Sequence, residues 1–372
     1  MKLILITTIS LLCTVTCPAS PGAYLKDPAK GNPALQSVGP LSFGPGGLLL
    51  IAEPGAAAIV AGETGDTAAQ PKTGKPVDDV TALLASALKT APQQVQIVDM
   101  AVNPASGRVY FSVRDQAAKR VAIVTVDSAG NAAALDFAAL PHVRVALPKS
   151  EAGPIRNISD LAFAGDRVLV TGQSNEEFSS KIFSIPLPLG AASTGSIFSA
   201  ETYHVAHKRW ETKAPIQSFV PYDDHGKMCV VGAFACTPIA KFSVTDIASG
   251  SNIRGTSVVE LGSGNRPLDI FAYNKGGHGW IVTNTNRFHQ PLFGPSKYWG
   301  VRVSTAYLDR NDAAQINEQA ARRDVKQKSG PEGIEILDSL SGAVHIDKFD
   351  EATMVVLREN GDKLRLETVP LP

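Results

Sequence analysis

Net charge, cysteine and long apolar runs are all scarce in this sequence. Its 35 Lys and Arg residues balance 35 Asp and Glu residues, so the formal net charge is zero. A chain without net charge has no overall field that gathers it onto nucleic acid or an anionic membrane, and we expect no nucleic-acid partner. With 44% hydrophobic and 19% charged residues in 372, the composition is that of a packed globular protein.

One apolar run stands at the N-terminus. Lys2 precedes an uncharged stretch from Leu3 to Thr16, followed by Ala19 and a Pro/Gly-rich segment. This order is typical of a secretory signal peptide, and the run is shorter than the roughly 20 residues that span a bilayer. We predict a signal peptide over residues 1–19 and one domain over residues 20–372. We also predict export to the periplasm or extracellular space, with no integral membrane segment in the mature chain. Lipidation of Cys17 is the alternative to simple cleavage.

Only four cysteines occur, and two of them belong to the predicted signal peptide. Cys229 and Cys236 remain in the mature chain, and an exported pair can oxidise. We therefore predict a disulfide between them, with two buried thiols as the alternative. No C-x-x-C-H motif and no paired C-x-x-C units occur, which excludes a haem attachment site and a zinc ribbon.

Common catalytic and nucleotide-binding motifs are also missing. The sequence has no G-x-S-x-G, no G-x-x-x-x-G-K-[ST], no H-E-x-x-H and no EF-hand loop. The segment from Gly65 to Lys75 has Pro76 where a phosphate-binding loop needs Ser or Thr, and is interpreted as a plain loop. No catalytic residue follows from a motif.

A short pattern recurs along the chain: an apolar-alternating strand, a turn of Gly, Asn or Asp, and a more continuous apolar strand. Its equivalent positions are Phe43, Val102, Phe163, Val220, Phe271 and Ile346, separated by 59, 61, 57, 51 and 75 residues. Propeller blades recur at about 40–50 residues, so each gap holds a blade and an insertion. We predict an all-β propeller of six or seven blades, each with four antiparallel strands.

Two insertions have a helical pattern. Residues 78–89 place apolar side chains on one face at helical spacing, with Asp78 as the expected cap. Residues 312–328 form a second, polar candidate, whose charges fit a solvated face better than a nucleic-acid patch. We expect both between blades.

Several phrases resemble secreted bacterial β-propeller proteins, loosely of the NHL/YVTN kind. The first is Leu41-Ser42-Phe43-Gly44-Pro45-Gly46-Gly47-Leu48-Leu49, and others are Ala57-Ala58-Ile59-Val60, Tyr203-His204-Val205-Ala206-His207 and Asn265-Arg266-Pro267-Leu268-Asp269. The resemblance implies a propeller fold and export. It implies no activity and no catalytic residue.

The densest polar cluster is His204-x-x-His207-x-x-x-Glu211. Imidazole and carboxylate suit zinc, copper or iron. On a regular strand the two histidines would face opposite ways, so only a turn or a helical segment brings both to one ion. Glu176 and Glu177 are the next candidates, and we predict that they join the histidines at the axial channel in one divalent-metal site. Solvated or hydrogen-bonded side chains are the alternative for all five.

A third group of residues is rich in amides and lies in predicted loops, where it could bind a sugar or a peptide. The predicted ligand-binding residues are Asn175, Asn284, Asn286, Arg287 and His289. Tyr298 and Trp299 follow this loop, and we expect them to begin a strand and pack between blades.

Two functions are the main candidates at this point, and an electron-transfer accessory is a lesser third, which the lack of a haem or blue-copper signature weakens. The first is a binding or scaffold module that contacts a protein or small molecule through loops on one face of the propeller. The second is a metal-assisted hydrolase, lactonase or oxidoreductase with its site at the mouth of the axial channel. A divalent metal ion is the only cofactor that the residues suggest, and the fold alone does not choose between these functions.

Overall fold

The computed structural model describes residues 24–72, 75–150, 153–236, 238–245, 247–262, 264–289, 292, 294–309, 320–323 and 330–372. In these ranges the chain forms six sheets, which pack around one axis as a six-bladed β-propeller. The predicted signal peptide, with Cys17 and its cleavage site, lies outside the described residues.

The blades are numbered by their first appearance in the chain. Blade 1 contains β1 (Leu41–Gly44), β2 (Leu48–Glu53), β3 (Ala58–Glu63) and β8 (His142–Ala146), and blade 2 contains β4 (Val95–Val102), β5 (Val109–Asp115), β6 (Arg120–Val126) and β7 (Ala132–Ala134). Blade 3 contains β9 (Ile155–Phe163), β10 (Arg167–Ser174), β11 (Ser180–Pro186), β12 (Ser196–His204) and β13 (Arg209–Glu211), with β17 (Asn252–Arg254) added in parallel beside β12.

The other three blades follow in chain order. Blade 4 contains β14 (Ile216–Asp224), β15 (Lys227–Phe234), β16 (Pro238–Ser243) and β18 (Thr256–Glu260), with β22 (Ala321–Arg322) added in parallel. Blade 5 contains β19 (Asn265–Lys275), β20 (His278–Arg287), β21 (Tyr298–Ser304) and β23 (Ile334–Leu337), and blade 6 contains β24 (Ala343–Lys348), β25 (Thr353–Asn360) and β26 (Lys363–Pro370).

The order of the blades around the axis differs from their order in the chain. The innermost strand β1 contacts both β4 and β9, and β24 contacts both β19 and β4. The circular order is therefore 2-1-3-4-5-6, and blade 6 closes the ring against blade 2. The chain builds three strands of blade 1, then all of blade 2, and returns to add β8 as the outer strand of blade 1.

The predicted repeat is confirmed, with six blades in the described part of the chain. All six equivalent positions, from Phe43 to Ile346, lie on the innermost strands. The prediction of four antiparallel strands in every blade was wrong for two blades. In the described residues blade 3 has five antiparallel strands, because the β12–β13 hairpin extends its outer edge, and blade 6 has three, with only an isolated bridge from Val77 to Leu366 beside β26.

Tight hairpins connect the inner strands where the sequence carries turn residues. His225 and Gly226 separate β14 from β15, with φ of 53° and 85°. Positive φ at both central residues gives the turn whose twist matches that of paired strands. Gly276 and Gly277 do the same between β19 and β20, with φ of 61° and 79°.

The hydrophobic core is divided into layers between blades. In β2, Leu48 and Leu50 pack in a cluster with Phe183 of blade 3, whereas Leu49 packs in a cluster with Tyr110 of blade 2. Successive side chains of a strand point to opposite faces, and each blade is covered on both faces. This is why the second strand of each repeat is almost continuously apolar.

One α-helix, α1 (Val80–Leu88), lies where the first helical pattern predicts it. Its cap is Asp79, not the expected Asp78: the Asp79 Oδ1 atom accepts a hydrogen bond from the N–H of Ala82 at 2.9 Å. The helix has nine residues, and in the described ranges no helix has the length and apolar character of a membrane span.

The second helical prediction, residues 312–328, falls mostly outside the described residues. Its described part contradicts it, because Ala321 and Arg322 form β22 and pair in parallel with β18. A polar segment can complete a blade edge when main-chain pairing supplies its hydrogen bonds.

The predicted disulfide was wrong. Cys229 is buried on β15, and Cys236 is exposed in the turn after that strand. An extended strand rises about 3.3 Å per residue, so the five steps from Cys229 to the end of β15 already span about 17 Å. A disulfide needs Cα atoms within about 7 Å.

Candidate functional site

Four aspartates from four blades line the axial cavity, whose volume is about 210 Å³. They are Asp99 on β4, Asp160 on β9, Asp269 on β19 and Asp347 on β24. Three of these strands have a register shift beside the aspartate, at Asp99, Asp160 and Asp269, and such a bulge re-aims a side chain.

Each aspartate accepts a hydrogen bond from the main chain of the next blade. The four bonds join the N–H of Leu41 to Asp99 at 2.7 Å, Phe219 to Asp160 at 2.8 Å, Ile346 to Asp269 at 2.9 Å and Val102 to Asp347 at 2.7 Å. We call these four residues the axial ring. Its hydrogen bonds link neighbouring blades at four of the six blade junctions. The axial cavity that it lines is smaller than typical ligand pockets, which begin at roughly 300 Å³.

His345 supplies positive charge to the axial ring. Its Nδ1 atom lies 3.3 Å from Asp269 Oδ1 and 3.5 Å from Asp99 Oδ1. Burial alone would lower the pKa of His345, but the charge and hydrogen bond of Asp269, with the charge of Asp99, raise it to about 9. Burial raises the pKa of Asp99 and of Asp347 to about 7. Protons therefore balance part of the buried negative charge.

The sequence interpretation missed the axial ring, although a signal was present. Three repeat copies carry Asp between apolar or small residues, in Val98-Asp99-Met100, Ser159-Asp160-Leu161 and Leu268-Asp269-Ile270. Aspartate is uncommon inside strands, so its recurrence two or three residues before the equivalent position of three repeats points to a shared role.

A second polar cluster lies on the hairpin at the outer edge of blade 3. The turn between β12 and β13 brings His204, His207 and Glu211 together, as the spacing requires. The two Nδ1 atoms lie 2.7 Å apart, and Glu211 Oε1 is 2.5 Å from His207 Nδ1 and 3.7 Å from His204 Nδ1. We call these three residues the hairpin triad.

The hairpin triad is supported from blade 4. The Nε2 atom of His204 lies 3.3 Å from the main-chain oxygen of Cys236 and 3.7 Å from Glu260 Oε1. When Nε2 of His204 carries the proton and donates it to either oxygen, Nδ1 is unprotonated, and its lone pair faces the other two residues of the triad. Metal-binding histidines are oriented by such bonds to a carbonyl or a carboxylate.

Glu260 also holds the turn itself. Its Oε1 atom accepts hydrogen bonds from the N–H groups of Val205 at 2.5 Å and Ala206 at 3.2 Å. The side chain of Glu260 is only 2% exposed, so its position is set by packing at the end of β18. This carboxylate therefore fixes both the turn and the ring of His204.

The triad has an ionised carboxylate and an accessible side. Burial would raise the pKa of Glu211, but the hydrogen bond from His207, the charges of both histidines and the contact with Arg209 lower it. His204 is buried, whereas half of the His207 side chain is exposed. His207 and Glu211 line a cavity of about 450 Å³, together with Trp210.

Glu176 and Glu177 do not belong to the hairpin triad. Glu176 forms an ion pair with Lys181 and accepts hydrogen bonds from Ser150 and Ser174, whereas Glu177 is exposed. Burial would raise the pKa of Glu176, but Lys181 and the two serines lower it. The five predicted ligands therefore do not form a single site. The triad lies at the outer edge of a blade and not at the mouth of the axial channel.

The predicted ligand-binding residues are not brought together. Asn175 is exposed after β10 in blade 3, and the others belong to blade 5 or to the residues that follow β20. Asn284 is buried, and its amide donates to the main-chain oxygens of Ala343 and Val344 at 3.0 Å. This side chain joins blade 5 to blade 6.

The remaining members of that set differ in exposure. Arg287 is buried beside Asn265, and burial lowers the pKa of its guanidinium. Asn286 is half-buried on β20, and His289 is exposed. Trp299 is buried on β21, donates from Nε1 to Asn265 at 3.0 Å and packs in one apolar cluster with Val231 of blade 4, so the expectation that it packs between blades is confirmed.

No protein-family model and no curated protein matches the chain. The chain is similar to several solved structures at low identity. The PQQ-bound form of aldose sugar dehydrogenase from Streptomyces coelicolor is 12% identical, with a TM-score of 0.34 over 93% of this chain and 96% of that one. A B. subtilis levansucrase variant is 8% identical, with a TM-score of 0.35 over 71% and 78%.

The third structure is a putative oxidoreductase (glucose dehydrogenase) from Thermus thermophilus. It is 14% identical, with a TM-score of 0.29 over 92% of this chain and 99% of that one. At such scores and identities the similarities assign neither a family nor an activity. Of the resemblance to NHL/YVTN-type proteins, the arrangement of the sheets confirms the propeller fold, and no family model supports more than that.

Proposed function

We propose that this protein is an exported binding module that holds a divalent transition-metal ion in the hairpin triad and uses it to bind a ligand. The observation that carries the proposal is the convergence of two imidazole Nδ1 atoms and one carboxylate oxygen, all within 4.8 Å of one another. Two histidines and a carboxylate suit zinc and its neighbours in the periodic table.

The distances fit an ion after a small adjustment. Ligand atoms around a tetrahedral zinc ion are about 3.3 Å apart. In the triad, His207 Nδ1 is 2.7 Å from His204 Nδ1 and 2.5 Å from Glu211 Oε1. These contacts would widen by less than about 1 Å around an ion, and the half-exposed His207 side chain has room to move.

A ligand could reach the metal from the adjoining cavity. Three protein ligands leave at least one coordination position for water or another molecule. Blades hold such loops and hairpins rigidly, which favours recognition by a preformed surface. The proposed export follows from the N-terminal apolar run and places the metal site outside the cytoplasm.

The same open position favours a second candidate function. Catalytic zinc sites keep three protein ligands and one water, so a metal-assisted hydrolase, lactonase or oxidoreductase is the alternative. For such an enzyme the active site would lie at the outer edge of blade 3. Binding and catalysis are distinguished only after the metal has been identified.

The first experiment measures metal content. The mature chain from Ser20 is expressed without added metal, and bound transition metals and calcium are counted by elemental mass spectrometry. The test variant is His204→Ala/His207→Ala, and the control is His225→Asn/His278→Ala, which changes two exposed histidines. Asn is chosen at position 225 because φ is 53° there.

We expect one transition-metal ion per chain in the wild type and the control, and none in the test variant. If a folded test variant still held the metal, the metal site would lie outside the hairpin triad. Wild-type protein that stays metal-free after incubation with Zn²⁺, Fe²⁺ or Cu²⁺ would refute the proposal. With a metal in place, turnover of ester, lactone or redox substrates would decide for the enzyme.

A further inference from the structure

A separate polar cavity of about 740 Å³ lies at the outer edge of blade 3. Its walls include Glu176 after β10, Lys181 on β11 and Ser199 on β12. Phe178, Ile197 and the segments 148–150 and 249–252 complete its described lining. None of these residues belongs to the hairpin triad or to the axial ring.

A buried ion pair forms one wall of this cavity. Lys181 contacts the Glu176 carboxylate and donates to Ser199 Oγ at 2.6 Å, and its side chain is only 3% exposed. Burying an ammonium group costs so much that an apolar pair of similar size is often as stable. A buried ion pair facing a cavity is therefore better explained by binding than by stability.

The cavity offers both donors and acceptors to a ligand. In the described part of the chain, every hydrogen bond and ion pair of Glu176 ends on Oε1, which leaves Oε2 as an acceptor. Lys181 has a third N–H beyond its bonds to Glu176 and Ser199. Ser251 and Asn252 add polar groups at the rim.

The buried charges of the cavity balance each other. The Glu176 carboxylate repels an anion, the adjoining Lys181 ammonium repels a cation, and the pair together is neutral. Lys149 at the rim is exposed, so solvent and salt screen its charge. Phe178 adds an aromatic surface to the lining. A ring that carries hydroxyl groups satisfies all of these features, because its hydroxyls donate and accept while its C–H faces pack on an aromatic side chain.

We propose that this cavity binds a neutral polyhydroxylated molecule of about monosaccharide size. Its volume lies within the range of about 300–1,000 Å³ for small-molecule sites. Glu176 and Lys181 orient the hydroxyl groups, and Phe178 contacts the ring. The site is independent of the metal in the hairpin triad.

Saturation-transfer NMR tests the proposal with glucose, galactose, mannose and fructose, using the mature chain. We expect at least one sugar to receive saturation from the protein. Ser251→Ala and Asn252→Ala alter the rim without disturbing the ion pair, and each should weaken binding about fivefold to tenfold if it loses one hydrogen bond. Lys181→Met/Glu176→Gln should abolish binding. His204→Ala/His207→Ala should bind the sugar as well as the wild type.

Three results would overturn the proposal. The first is that none of the four sugars binds to the folded wild-type protein. The second is that a bound sugar is unaffected by the rim variants and also by Phe178→Ala, which would place it in another site. The third is that inorganic phosphate binds in preference to every sugar and is lost in Lys181→Met, which would make the cavity an anion site.

Discussion

The Oδ2 atom of Asp347 accepts a hydrogen bond from the main-chain N–H of Val102 at 2.7 Å, across 245 residues of sequence. Asp347 belongs to the last blade and Val102 to blade 2. Blades 6 and 2 are neighbours around the axis although they are not consecutive in the chain. The bond therefore links the two blades that close the ring. It also shows the role of the axial ring: each aspartate carboxylate of one blade accepts a hydrogen bond from a main-chain N–H of the next blade.

Loss of this bond should destabilise the protein. We expect Asp347→Ala to lower the free energy of unfolding by about 1–3 kcal/mol, since a buried N–H loses its acceptor. Asp347→Asn should cost less, because the amide oxygen can still accept. Urea unfolding followed by circular dichroism measures both, with Asp362→Ala in an exposed turn as the control. Equal stability of Asp347→Ala and wild type would show that the bond contributes nothing.

The axial ring should make the protein less stable as the pH rises. The folded-state pKa values of Asp99 and Asp347 are about 7, above the usual value near 4, so their contribution falls as the pH rises from about 4 to 7. The pKa of His345 is raised to about 9, so its contribution is present below about 6.5 and is lost as the pH rises through 9. Both effects have the same sign.

Unfolding midpoints in urea at pH 5, 7 and 9, with EDTA present, measure this dependence. We expect the midpoint to fall steadily over this range in the wild type and to fall less in Asp99→Asn/Asp347→Asn. Carboxyls with a lowered pKa, such as Asp79 and Asp115, lose their stabilisation only below about pH 4 and do not interfere. A midpoint that rises from pH 5 to 9 would contradict the assigned protonation states.

Glu260 should control metal affinity without binding the metal. Because it lies beside His204 Nε2 and holds the turn, we expect Glu260→Gln to weaken Zn²⁺ binding about 10-fold to 100-fold. Competition with a chromogenic chelator gives the affinity. Glu201→Gln is the matched control, since Glu201 is also buried but pairs with Arg254 of blade 3 at 2.8 Å and not with the triad. If the two variants bind Zn²⁺ equally well, Glu260 has no part in orienting the site.

The cap of α1 offers a local test of the structure. Asp79→Ala should lower the free energy of unfolding by about 1 kcal/mol, because the Ala82 N–H loses its acceptor at the helix start. Asp78→Ala should have a much smaller effect, since Asp78 is largely exposed. Thermal or urea unfolding of the two variants compares them directly. A larger loss for Asp78→Ala would reassign the cap to that residue.

Local patterns in the chain were enough for the propeller and for the hairpin triad. Period-two apolar strands and turns such as His225-Gly226 are encoded by neighbouring residues, and so is the i, i+3, i+7 spacing that a turn folds into His204, His207 and Glu211. Local spacing could also place α1, although not its exact cap. These features depend on interactions between residues close together in the chain.

Contacts between distant segments decided the rest. The placement of blade 2 between blades 1 and 6, the pairing of Asp347 with Val102, and the separation of Glu176 from the histidines all depend on which blades become neighbours. So does the separation of Cys229 from Cys236, because pairing with β14 and β16 keeps the intervening strand extended. Strand pairing and burial select these arrangements over the whole chain, and no short stretch of residues carries that information.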